Sequence, residues 1–315
     1  MQDITHQNFE ADLISASMQQ PVLLDIWAPW CGPCKTLGPV LEKLEVAYDG
    51  RFKLGKLNAD EQPEIASQLS QMFGVRSIPF CVLFKDGQPV DGFVGALPEG
   101  EIRQFLDRHV PSAEEAAAEE EVIAGGELLA SGDTASALQR LQAAVETNPA
   151  SDAARYEYLR ALLAAGDVET ARAVFDPVAA KVLLDPRLGA IGHWIAACDA
   201  ARSARPADTL EALLAANKRD FDARLELAQR HFAAQRFTQA MDELLEIVMR
   251  DKAWRDELAR KTYVAILEIM SPMAPPKAKE AAAPKGTLEV AGKMITTPND
   301  PVIDAYRRKL SMALF

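Results

Sequence analysis

What is scarce in this 315-residue chain narrows its identity first. Cysteine occurs four times, too rarely for a disulfide-stapled scaffold at this length. No run of eighteen apolar residues occurs, which removes a membrane-spanning helix, and no membrane partner is expected. Positive charge is in deficit: 34 Lys and Arg face 46 Asp and Glu, for a net charge of −12. Nucleic-acid binding draws on clustered Lys and Arg, so that class is excluded. The four histidines (His6, His109, His193, His231) are too dispersed for a catalytic cluster. Residues 1–12 are polar and acidic, without the basic-then-apolar pattern of a secretory signal, so a reducing cytoplasm is the expected location.

What is present divides the chain in two. Residues 1–110 mix short apolar runs with helical patterns. Strands are expected at 22–27, 52–57, 80–84 and 90–94, and helices at 9–19, 34–48, 63–73 and 98–109. Lys85-Asp86-Gly87-Gln88 carries hairpin-turn chemistry between the last two strands. Such an order predicts an α/β domain built on one mixed sheet.

From about residue 113 to 271 the composition turns to Ala, Leu, Glu and Arg with helical periodicity. Gly132-Asp133 recurs 34 residues on as Gly166-Asp167, Ala137 recurs as Ala171, and Leu141 matches Phe175. A further copy runs from Gln235-Arg236 through Ala240, Leu244 and Ile247, while the unit at 187–220 is degenerate. Gly125, Leu128, Ala137, Leu141, Ala144 and Pro149 of the first unit fit the same scheme. A 34-residue period with a small residue at each helix crossing resembles tetratricopeptide (TPR) repeats, about four of them. Stacked helix pairs of that kind bind segments of other proteins.

Residues 272–299, with five prolines spaced by Ala and Lys, read as a flexible linker. Asp300-Pro301 then offers an N-cap and a first-turn proline, and Ile303, Tyr306, Leu310 and Leu314 follow at helical spacing. This amphipathic helix at 300–315 either docks on a partner or folds back to cap the repeats.

The chemistry concentrates in Trp30-Cys31-Gly32-Pro33-Cys34-Lys35, directly after a predicted buried strand. Two thiols at this spacing on a strand-to-helix turn can close a small ring, so that one attacks a disulfide and the other resolves the intermediate. Cys31 falls at the expected helix start, where unpaired N–H groups and the dipole favour a thiolate. A fall in thiol pKa from about 8.5 to about 7 is worth roughly 2 kcal/mol and makes Cys31 the nucleophile, with Cys34 resolving. A zinc site would need ligands that no second CxxC or paired His supplies, so no metal and no cofactor are expected. Cys81 and Cys198 read as small core residues. Asp25 stands in an apolar strand, where a carboxylate must be paired or protonated.

The run from Asp25 to Lys35 is very similar to the thioredoxin active-site signature, and the resemblance continues through Pro39, the segment Phe73-Gly74-Val75-Arg76-Ser77-Ile78-Pro79 and the segment Gly92-Phe93-Val94-Gly95-Ala96-Leu97. It implies a thioredoxin fold over residues 1–110 and a cis Pro79 lying against the cysteine turn. By the same resemblance Asp25 is the buried proton acceptor for Cys34, with Lys56 nearby, and substrate contact falls to Trp30, Gly32, Pro33, Ile78, Pro79 and Gly95. Phe80, where many thioredoxins carry a smaller Thr, is expected to crowd the substrate groove.

A thioredoxin-like domain followed by TPR-like repeats resembles the bacterial chaperedoxin family, and the terminal segment 305–315 looks like that family's last helix. The resemblance implies a holdase that binds unfolding client proteins, forms mixed disulfides with their cysteines and passes them to ATP-dependent foldases. It assigns docking on the chaperonin GroEL to Tyr306, Arg307, Arg308, Leu310, Leu314 and Phe315. The alternatives are a dedicated protein-disulfide reductase whose repeats select one substrate, and a repeat scaffold with a vestigial redox domain.

Overall fold

The computed structural model describes residues 2–271 and 300–314. The chain divides into two compact units, and the division falls between Ala117 and Ala118. The expected linker at 272–299 lies outside the described residues.

In the first unit, five strands form one mixed sheet: β1 (Gln2–Asp3), β2 (Val22–Trp27), β3 (Lys53–Asn58), β4 (Phe80–Lys85) and β5 (Gln88–Val94), in the order β1-β3-β2-β4-β5. β1, β3 and β2 run parallel, and β4 and β5 are antiparallel. The apolar run of β2, interrupted only by Asp25, has its cause in the strand's central position, buried on both faces. Leu23, Cys81 and Leu83 meet Leu37, Leu41 and Leu44 of α1 (Gly32–Ala47), together with Ile102, Phe105 and Leu106 from α3 (Glu99–Asp107). On the opposite face Val22, Leu24, Ile26, Val82 and Phe84 meet Ile65 and Leu69 of α2 (Pro63–Phe73), along with Leu13 from a wide π-type helix at Phe9–Ser15. The hairpin turn read from sequence is present, with Asp86 (φ 54°) and Gly87 (φ 77°) both left-handed as a two-residue turn requires.

The second unit is helical: α4 (Ala113–Ser131), in which the division falls, α5 (Thr134–Thr147), α6 (Asp152–Ala164), α7 (Val168–Phe175), α8 (Pro186–Ser203), α9 (Ala207–Ala216), α10 (Phe221–Ala233), α11 (Phe237–Arg250), α12 (Trp254–Met270) and α13 (Pro301–Leu314). The repeated Gly-Asp pairs explain themselves. Gly132 (φ 88°) and Gly166 (φ 81°) end one helix in the left-handed region, and Asp133 and Asp167 cap the next by accepting from Ser136 and Thr170 N–H at 3.1 Å. Gln235 takes the same conformation (φ 59°) in the third copy, and its amide donates to the Ala164 carbonyl at 2.9 Å. Ala137, Ala171 and Ala240 are all fully buried, as small residues at helix crossings should be.

The degenerate unit is helical too. α8 and α9 are joined through Arg205-Pro206 instead of Gly-Asp, α9 packs on α10 through Leu210 and Leu214, and α7 is short because its chain continues as a 3-10 segment, Asp176–Leu183. α8 is central, packing against both α10 and α12, with Trp194 stacked on Phe232 at 5.8 Å.

Candidate active site

β2 delivers the chain to the site. After Trp27, the Cys31 N–H bonds back to the Ala28 carbonyl at 3.1 Å, which turns the backbone into α1. Cys31 is the N-cap of α1; its Sγ accepts from the Cys34 N–H at 3.2 Å, and Pro33 occupies the first turn, where a missing N–H costs nothing. Cys31 and Cys34 form a disulfide with their Cα atoms 5.3 Å apart. Both are buried, clustered with Ala28, Trp27 and Ile78. Trp30 is 70% exposed, its indole N–H donating to the Asp60 carboxylate, and Gly32 and Pro33 are also exposed. The Ile78–Pro79 peptide bond is cis. The Pro79 carbonyl accepts from the Gly95 N–H at 2.8 Å, which ties the loop to the end of β5. Thus Cys31, Cys34 and Ile78 are brought into one cluster, while Pro79 and Gly95 flank it through this bond.

Asp25 is 1% exposed and sits abreast of two polar side chains on neighbouring strands: Lys56 is its partner on β3 and Cys81 its partner on β4. The Cys81 thiol donates to Asp25 Oδ1 at 3.7 Å. Burial pushes the Asp25 carboxyl up to about 6; Lys56 and the Cys81 hydrogen bond act against that rise, and Glu42 adds to it. Lys56 Nζ donates to Glu42 of α1 at 2.7 Å. Gly38 faces the same ammonium: a Cβ there would stand 3.4 Å from Lys56 Nζ, in ordinary contact. Cys34, Gly38 and Glu42 succeed one another at four-residue spacing along α1, so the buried polar row and the resolving thiol share one helix edge.

Two expectations need correction. Phe80 does not crowd a groove. Strand alternation turns it to the α2 face, where it is 2% exposed and meets Phe73 edge-on at 5.5 Å. Cys81 is a core residue, as expected, but a polar one, since its thiol is the hydrogen-bond partner of Asp25. Sequence reasoning also missed Glu42 and Asp60, and the helical spacing from Cys34 was the signal that could have found Glu42. Cys198 is buried in α8 as read. Among the described residues no group of His, Cys, Asp or Glu could hold a metal ion.

The residues assigned to partner docking lie elsewhere, on α13. Tyr306 and Leu310 are buried with Ile303 against α11 and α12, so α13 folds back on the repeats. Tyr306 Oη donates to Asp242 at 3.0 Å, and the Leu314 carbonyl accepts from Lys252 Nζ at 2.6 Å. Leu314 is half-buried, Arg307 and Arg308 are exposed, and Phe315 lies outside the described residues.

The thioredoxin family profile matches residues 1–108, and two tetratricopeptide repeat profiles match residues 128–191 and 200–281. Thioredoxin 1 of Nostoc sp. is 42% identical over 107 residues, 34% of this chain and 94% of that protein. Thioredoxin 2 of Chlorobaculum tepidum is 44% identical over 108 residues, again 34% of this chain and 94% of that protein. The thioredoxin of Haemophilus influenzae is 42% identical over 113 residues, 35% of this chain and the whole of that protein.

Proposed function

This chain belongs to the thioredoxin family, and on that premise we propose that it is a redox-competent co-chaperone of the chaperedoxin type. One observation carries the reading: an intact Cys31–Cys34 pair capping α1 stands in the same chain as an array of helix pairs suited to binding protein segments. In the reduced protein, the Cys31 thiolate attacks one sulfur of a client disulfide. That forms a Cys31–client mixed disulfide and expels the other client sulfur as a thiolate. Cys34, deprotonated with the help of Asp25, then attacks Cys31 Sγ. This closes the Cys31–Cys34 disulfide, releases the second client thiol and moves two electrons from the dithiol to the client. The exposed Trp30, Gly32 and Pro33 and the loop at Ile78, Pro79 and Gly95 form the surface that meets an extended client. The repeats hold unfolding clients, and delivery runs to GroEL or another ATP-dependent chaperone in the cytoplasm.

Thermally unfolded citrate synthase, incubated with an equimolar amount of the full chain and neither reductant nor ATP, should stay in solution. Unchanged precipitation would remove the holdase role and leave the second reading, a dedicated protein-disulfide reductase, which the complete cysteine pair favours. For docking, Arg308→Glu changes an exposed residue of α13 and leaves its buried stripe intact. It should weaken co-purification with GroEL, and unchanged capture would take Arg308 out of the interface.

A further inference from the structure

Cys81 is a buried thiol that the exchange chemistry above leaves unused. Cys81 has no solvent access at all, which excludes a role as a third exchanging thiol. Its position is nevertheless specific. Across the middle of the sheet, Lys56 on β3, Asp25 on β2, Cys81 on β4 and Phe93 on β5 stand in register, so their side chains form one row. α1 lies over this row, with Leu37 and Leu41 packed against Cys81 and Leu23. Asp25 therefore stands between Lys56, its register partner, and a thiol that donates to Oδ1 at 3.7 Å, the one side-chain hydrogen bond to this carboxylate among the described residues. An apolar residue at position 81 would pack as well but would leave that carboxylate oxygen without its donor.

We propose that Cys81 is a positioning residue for thiol–disulfide exchange: its S–H holds the Asp25 carboxylate in the charged, acceptor-ready form that takes the Cys34 proton when the mixed disulfide resolves. The charged and titratable groups around Asp25 are Lys56 on β3, Cys81 on β4 and Glu42 on α1, with Cys34 further up the same helix edge. Lys56 is shared with Glu42, which divides its influence and leaves Cys81 as a donor committed to Asp25. The Cys81 thiol can play this part because burial and the facing carboxylate both push it well above an ordinary thiol, so it stays protonated while Asp25 titrates.

This assignment rests on the exchange chemistry proposed above, and its test separates the two. Insulin-disulfide reduction by the full chain, recycled with dithiothreitol, should be followed across the acidic to mildly alkaline range for the wild type, Cys81→Ala and Cys81→Ser. Losing the donor should move the acid limb of the Cys81→Ala profile upward by roughly half to one pH unit. Cys81→Ser, which keeps a donor, should return it. In an Asp25→Asn background, Cys81→Ala should move nothing further. A Cys81→Ala limb that coincides with the wild type, or an equal shift without Asp25, would overturn the assignment. If the wild-type chain reduces no insulin, the exchange reading fails. Carboxyl carbon NMR of Asp25 in the reduced chain still decides the positioning claim, which fails if Asp25 titrates alike with and without the Cys81 thiol.

Discussion

The Tyr263 hydroxyl donates a 2.8 Å hydrogen bond to the backbone carbonyl of Tyr306, joining α12 to α13 inside the helical core. The two rings also pack together, tilted, with centroids 6.4 Å apart. Counting helices in pairs from α4 and α5, α12 is the first member of a fifth pair and α13 takes the place of the second. It contacts α11 as well as α12, as the second helix of a repeat does. The last helix is thus a component of the array, although residues 272–299 separate it from α12 in sequence.

A structural α13 has a measurable consequence. Leu310→Ala removes a buried side chain from the α11–α12 face and should cost about 2–3 kcal/mol, by lost transfer energy and the cavity left behind. Tyr263→Phe removes one buried hydrogen bond and should cost about 1 kcal/mol. Thermal melts of the full chain followed by helical circular dichroism should show both in that order. Melting curves that overlay the wild type would mean that α13 adds nothing to the stability of the array.

The buried carboxyl of Asp25 predicts an inverse pH dependence. Its pKa rises from 3.8 to about 6 on folding, so the folded chain binds more protons than the unfolded one between those values. The stability this group allows is therefore full below pH 4 and is lost as pH rises through 6. A shift of this size corresponds to about 3 kcal/mol. Asp25→Asn should accordingly stabilise the oxidised protein by up to that amount at neutral pH, with the gain vanishing at about pH 4. Urea unfolding of both proteins across this range measures it, and a pH-independent difference would contradict the burial argument.

Much of this was legible in the sequence because the relevant signals are local. The buried strand of β2, the helix start at Cys31 and the Asp86-Gly87 turn each follow from neighbours within a few residues. The Gly-Asp period announced the helix pairs, whereas α8 and α9 lost the period because Pro206 replaces that turn chemistry. Contacts set by register were not legible. Cys81 faces Asp25 only because β2 and β4 pair in one of several possible alignments. Glu42 reaches Lys56 only because α1 packs across β3, a contact between residues that neighbour neither each other nor the cysteines in any strand pattern. The apolar stripe of α13 was visible, but a stripe alone does not say whether the surface that covers it belongs to a partner or to the same chain.

Gly125 tests how closely the first repeat is packed. A Cβ at this position of α4 would stand 2.8 Å from Leu141 Cγ, and Leu141 on α5 is buried. Gly125→Ala should gain about 1 kcal/mol of helix propensity and lose about 1–3 kcal/mol to overpacking. Because Leu141 is enclosed and cannot swing out, the loss should win. A lower melting temperature is expected, partly restored by Leu141→Val in the same chain. A Gly125→Ala protein more stable than the wild type would show that the two helices can separate at little cost.

Cys31 and Cys34 should behave differently when each is replaced. Cys31 caps α1 with its sulfur at the helix start, and Cys34 lies in the first turn with its N–H directed at that sulfur. In Cys34→Ser, Cys31 still attacks a client disulfide and expels one thiolate, but no second thiol is placed to attack Cys31 Sγ. The mixed disulfide should then persist until external thiol is added. Exposing that variant to an unfolded, disulfide-containing client should give a covalent complex on a non-reducing gel, which dithiothreitol dissolves. Cys31→Ser should give none, because the sulfur it retains lies past the cap position, where the free N–H groups of the first turn do not point at it as the Cys34 N–H points at Cys31 Sγ. Equal trapping by both variants would mean that either thiol can attack, and the division of labour assigned to the helix start would then be wrong.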